Sequence, residues 1–193
     1  MVSDDKYTDA EYVGELVYDN DKIIFKVNRD KIPIRNFPIG AKDKPEGAIV
    51  IWEHPVANSD GTIPYGVYIS STDPYDDDES GTDSLGSTFV MNILTGRIVA
   101  EYTGRPATAK EYYENVLRLM KYYNAINNYE QNKKGMFSYF EQKNALYHLA
   151  DTPKILRDID IVKNQGGAPR RTRTYEGHYS REIYSLHPLP LGS

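Results

Sequence analysis

The sequence predicts an α/β fold in which helices flank a mixed central sheet, with a small β-rich lead-in segment before it. Three observations point there. Between residues 66 and 104, three strand-like runs follow one another across turns or loops, as in an antiparallel meander. A well-marked amphipathic helix begins after Thr108. The run AINNYE then emerges from that helix, and a strand reached through a helix is expected to lie parallel to an earlier one.

In chain order, residues 1–10 have no periodic pattern and read as a disordered start. The stretch GELVYDNDKIIFKVN alternates apolar and polar residues about Asp19-Asn20-Asp21, the signature of a hairpin with a turn-forming tip. Three prolines and two glycines make RDKIPIRNFPIGAKDKPEG a loop. AIVIWEHP is a short apolar strand stopped by Pro55, and ANSDGTIPYG turns the chain into the strand GVYISST, which ends at Asp73-Pro74. An acidic loop runs to Gly81, after which SLGSTFVMNI and IVAEYTG are strands joined by the turn LTGR. Thr108 and Glu111 have the spacing of a capping box, and Tyr113, Val116, Leu117, Met120 and Tyr123 form one apolar helical face. That helix ends at Asn124-Ala125. Beyond AINNYE, helical spacing resumes through Met136, Phe140, Leu146 and Leu149. The expected organisation is a lead-in segment over 1–48, an α/β domain over 49–165 and an irregular basic tail over 166–193.

The absence of cysteine excludes disulfides, thiolate zinc sites and thiol nucleophiles, and it permits a reducing compartment. No apolar run approaches the ~20 residues needed to span a bilayer, so no membrane role is expected. The start MVSDDKYTDA is acidic and polar, unlike a secretory signal. There is no GxxxxGK[ST] loop, which excludes that mode of ATP binding. A net charge of -5 is unlike a nucleic-acid coat protein, although a nuclease can be acidic because its carboxylates hold cations. His54, His148, His178 and His187 lack paired metal-ligand spacing.

Charge is unevenly spread. Residues 73–83, DPYDDDESGTD, carry six acidic residues and no basic one. Asp76, Asp77, Asp78 and Glu79 lack the alternation of a calcium loop and read as a self-repelling, solvated segment. Between Lys163 and Arg181 the balance reverses, with Arg170, Arg171 and Arg173 at its centre. Such a tail can contact DNA phosphates, or it can simply be solvated.

Two carboxylates stand out by position. Asp73 closes the first central strand and Glu130 closes the fourth, so neighbouring strands would deliver both to one rim. Carboxylates gathered there can hold Mg2+ or Mn2+ for phosphodiester hydrolysis. Strand ends also carry Asp and Glu for turn and capping reasons, and spacing alone leaves both readings open.

The stretch from Ile51 to about Met136 resembles the C-terminal nuclease domain of tailed-phage large terminase subunits. The matching pieces are IWEHP, GVYISSTDPYDDDESGTDSLGSTFVMN, TGRIVAEYTGRP, the helix ending KYYNA, and INNYEQNKKG. The family pattern is an Asp-Pro closing the first strand, a second Asp in the following loop, and Glu-x-Asn-x-x-Gly closing the fourth strand. Here these are Asp73-Pro74, Asp83, and Glu130 with Asn132 and Gly135. The resemblance implies a ribonuclease-H-like fold and metal-dependent cleavage of double-stranded DNA during genome packaging. It makes Asp73 and Glu130 the metal ligands of a two-metal Mg2+ or Mn2+ site, with Asp83 assisting catalysis. Lys133 and Lys134 would meet the DNA backbone, with a solvated helix start as the plainer account. The implied partners extend to a portal and a small terminase subunit, and the place of action is the host cytoplasm.

The pattern also calls for a third acidic ligand late in the domain. Asp151, Asp158, Asp160, Glu176 and Glu182 all lack the matching context, so a truncated domain or an unusual tail is expected. Two rivals follow. A junction-resolvase-like nuclease would share the carboxylates but act on branched DNA. A non-catalytic module docking to DNA or the packaging motor would not need them.

Overall fold

A computed structural model describes residues 12–40, 43–75, 84–130 and 134–150. The elements are β1 (Tyr12–Asp19), β2 (Lys22–Val27), β3 (Ala48–Ile51), β4 (Tyr68–Asp73), β5 (Gly86–Asn92), β6 (Arg97–Gly104), α1 (Ala109–Tyr123), β7 (Ile126–Tyr129) and α2 (Lys134–Gln142). The strands form one sheet in the order β2-β1-β3-β6-β5-β4-β7. Neighbours are antiparallel except β4 and β7, which are parallel.

Local chemistry accounts for these elements. The β1–β2 hairpin closes around Asn20, whose φ of 54° is the left-handed conformation that asparagine tolerates in tight turns. Through β1 this hairpin joins the same sheet as the central strands. At Gly47, just before β3, φ is +64° and a Cβ would overlap the Thr103 carbonyl, so glycine lets the chain enter the sheet. Thr108 caps α1, its Oγ1 accepting the Glu111 amide at 3.3 Å. At the other end Asn124 adopts the left-handed conformation with φ 47°.

The face of α1 expected from the sequence is buried, and Tyr112 and Leu119 are buried with it. It packs on Ile49, Ile51, Tyr68, Val90, Ala100 and Tyr102 from the sheet. Much of this core is tyrosine, whose hydroxyls must be partnered when buried. Tyr68 accepts the Val56 amide, Tyr123 donates to the Glu53 carbonyl at 2.7 Å, and Tyr102 donates to the Glu46 carbonyl at 3.2 Å. These rings therefore fill the core and also pin the loops that run over it.

The meander β4-β5-β6, then α1, then β7 returning parallel to β4, is the β-β-β-α-β order expected of a ribonuclease-H-like fold. Among the described residues, both helices cover one face of the sheet, where Met120 of α1 and Met136 of α2 approach β4 and β7. Part of the opposite face is covered by the 28–40 loop. There Arg35 bonds Glu101 at 3.0 Å and Ile34 is buried.

The second helix is shorter than its apolar spacing suggests. It ends at Gln142, Asn144 turns left-handed with φ 51°, and Leu146 lies in a separate 3-10 turn, Leu146–His148. Leu149 then bridges to Asn127 beside β7. The apolar spacing is i+4 before the break (Met136, Phe140) and i+3 after it (Leu146, Leu149), and the six-residue step between them spans the turn. Among the described residues, no helix is long and apolar enough to cross a membrane.

Candidate functional site

The parallel pair brings the two carboxylates together. In β4–β7 the register runs from Ile69↔Ile126 to Thr72↔Tyr129. The next residues along the two chains are Asp73 and Glu130, which leave strands spaced ~4.8 Å apart. Both are exposed. They line an open cleft of about 390 Å³ with Ser71, Thr72, Asn128 and Tyr129. In β4 the alternate residues Ile69, Ser71 and Asp73 are exposed, whereas Tyr68, Ser70 and Thr72 are buried. Asp73 therefore stands at the rim on the face away from α1.

Beneath the rim lies a buried polar ladder. Asn127 Oδ1 accepts from Ser70 Oγ at 2.6 Å and from Thr72 Oγ1 at 2.9 Å. Thr72 and Thr88 hydroxyls are 2.9 Å apart, and Thr88 lies 3.0 Å from the Tyr112 hydroxyl. Each hydroxyl has one proton to give. Since Thr72 gives its proton to Asn127, Thr88 donates to Thr72 and Tyr112 donates to Thr88. Burial pushes the Tyr112 phenol well above its usual range, so the proton at the head of this chain is retained. Asn127 Nδ2 points to Met136 Sδ at 3.7 Å.

The segment after Asp73 is anchored as well. Tyr75 is buried, donates its hydroxyl to the Pro106 carbonyl at 3.1 Å, and accepts at its own carbonyl from Tyr113 at 3.0 Å. The Arg105 guanidinium lies 4.6 Å from the Tyr75 ring centre and donates to the Ser84 carbonyl at 2.7 Å. Arg105 thus touches both described ends of the acidic segment, Tyr75 and Ser84. On the far side of β7, the Ala150 amide bonds the Asn127 carbonyl at 2.8 Å, and His148 Nδ1 donates to the Ala125 carbonyl at 2.8 Å.

Of the residues singled out from the sequence, Asp73 and Glu130 both line this cleft. Asp83, Lys133, Arg170, Arg171 and Arg173 lie outside the described residues, as do residues 1–10, Asp76 to Glu79, Asn132 and the late acidic residues from Asp151 onward. Lys134 opens α2. Among the described residues, no three Asp, Glu or His side chains cluster closely enough to hold a metal ion. Sequence reasoning did not single out Ser70, Thr72, Thr88, Asn127, Tyr75 or Arg105. The available signal was three hydroxyl residues in a row before Asp73, where a buried strand would ordinarily be apolar.

No family model matches the sequence, and no curated protein matches it. Among solved structures, the chain is similar to the crystal structure of the large terminase nuclease from the thermophilic phage G20c. The identity is 14% and the TM-score 0.42, over 70% of this chain and 60% of that one. This chain therefore spans less than two thirds of its length.

Proposed function

We propose that this chain is a metal-dependent DNA endonuclease domain, of the kind that cuts DNA during packaging by phage large terminases, with its reaction centre at Asp73 and Glu130. The observation that carries the reading is the delivery of two carboxylates, from the ends of the parallel pair β4–β7, to one open cleft. The donor set fits a hard divalent cation. Carboxylate oxygens, with the Ser71 hydroxyl and the Asn128 carboxamide in the same cleft, suit Mg2+ or Mn2+.

Such a cation supplies positive charge to the phosphodiester and lowers the pKa of a nearby water. Asp73 and Glu130 would hold it, and Asp83 would assist as a further ligand or by orienting one. Carboxylates fixed by strand ends need little reorganisation as charge develops, which is where electrostatic catalysis gains most. In this reading, Lys133 and Lys134 meet the backbone of double-stranded DNA beside the cut, and Arg170, Arg171 and Arg173 add phosphate contacts farther along the chain. A portal and a small terminase subunit would be its partners in the host cytoplasm.

The test is plasmid nicking by the full chain in Mn2+ and in EDTA, alongside Asp73→Ala and Glu130→Gln. Nicking should require the cation and fall to the EDTA background in both variants. Nicking that survives EDTA, or persists in folded Asp73→Ala, refutes this centre. No nicking by the folded wild-type chain favours the docking module.

A further inference from the structure

We propose that Thr72 and Asn127 are positioning residues for the rim, and that their buried hydroxyl–amide bond sets cation affinity without either side chain touching the cation. The proposal rests on the reading of the rim as a cation centre.

The backbone alone gives this rim a thin foundation. The β4–β7 ladder is four residue pairs long, and parallel pairing is slightly weaker per residue than antiparallel pairing. The central residues of β7 are Asn127 and Asn128, a residue type depleted in strands. A slip of one residue would turn every side chain of β7 to the opposite face and carry Glu130 away from Asp73.

Asn127 opposes such a slip from inside. Its Oδ1 sits between Ser70, its cross-strand partner, and Thr72, two residues nearer the rim, and accepts from both. It is fully buried, and Thr72 is nearly so. Apolar side chains would fill this volume without the cost of removing amide and hydroxyl groups from water. Fixing register is the best-attested use of a buried polar group. Thr72 directly precedes Asp73, and the chain Tyr112–Thr88–Thr72–Asn127 links α1, β5, β4 and β7 in one direction. A ligand whose support is loosened in this way loses affinity before the fold is lost.

The experiment compares the full-length wild-type chain with Thr72→Val, Thr72→Ser and Asn127→Leu. Free Mn2+ is followed by electron paramagnetic resonance during titration, and thermal melts are run in EDTA. Thr72→Val keeps the shape and removes the hydroxyl, whereas Thr72→Ser keeps the hydroxyl. Thr72→Val and Asn127→Leu should weaken Mn2+ binding about tenfold or more, and Thr72→Ser should stay within about threefold of wild type. Leu16→Ala, a buried change on β1 four strands from β4, should lower the melting temperature and leave Mn2+ affinity unchanged.

Unchanged affinity in Thr72→Val overturns the proposal, as does an equal loss in Leu16→Ala, which would mark general destabilisation. Absence of Mn2+ binding by the wild-type chain overturns the cation centre itself and the positioning role with it. Normal wild-type binding with a normal Thr72→Val removes the positioning role alone.

Discussion

Acidification from about pH 7.5 to about pH 5 should destabilise the fold, because the unfolded chain protonates His148 in this range and the folded chain resists doing so. His148 is 2% exposed, and its Nδ1–H is committed to the Ala125 carbonyl. Burial disfavours the imidazolium, the Ala125 carbonyl bond offsets part of that, and Lys121 adds a smaller repulsion; together these bring the pKa down from 6.5 to about 4. Between those values the unfolded chain binds the proton and the folded chain does not. The stabilisation is therefore complete above about pH 6.5 and lost as the pH falls toward about 4, and it amounts to about 3 kcal/mol in all. About 2 kcal/mol of it should disappear by about pH 5, before most carboxylates titrate.

The assay is urea unfolding across this range for the wild type and His148→Gln. The variant should be less stable at neutral pH, because the packed ring is gone, and its stability should vary less with pH. Equal slopes in the two proteins would show that His148 is not the group responsible. Since Ala125 leads directly into β7, the same series reads the seat of the strand that carries Glu130.

Gly86→Ala should cost about 2 kcal/mol, because the added methyl overlaps the Tyr112 ring, which is fully buried, stacked on Tyr102 and bonded to Thr88. Urea unfolding within about 0.5 kcal/mol of wild type would show that the ring has room to yield. Arg35→Ala should cost about 2 kcal/mol, because it removes the cation beside Glu101, which is 8% exposed. Adding Glu101→Gln should recover part of that loss, and a double variant no more stable than Arg35→Ala would place the cost in packing.

The fold was legible where its signals are local. Alternation about Asn20, the Thr108–Glu111 spacing and the apolar face from Tyr113 to Tyr123 each depend on neighbours a few residues away. Leu146 and Leu149 misled because they stand three apart, as Met136 and Phe140 stand four apart, although the six-residue gap between Phe140 and Leu146 holds the turn at Asn144. The hydroxyls of β4 were less readable still. Ser70 and Thr72 look like solvent-facing residues until Asn127, Thr88 and Tyr112 are brought to them by strand pairing and helix packing. A satisfied polar interior has no one-dimensional pattern, because its partners come from distant segments.

Asp73 and Glu130 could be placed for the opposite reason. Each is marked by the end of its own strand, so only the pairing of two short elements had to be inferred. That pairing follows from the crossover through α1, which returns the chain parallel to β4 and thus aligns the C-terminal ends of both strands. An antiparallel β7 would have sent Glu130 to the opposite edge of the sheet. The direction of one four-residue strand therefore decides whether two carboxylates can share a cleft, and that strand is held by its backbone pairing with β4 together with buried side chains that face away from the cleft. In this domain the polar ladder below the rim links the fold to the proposed chemistry, and substitutions in it should separate cation affinity from global stability.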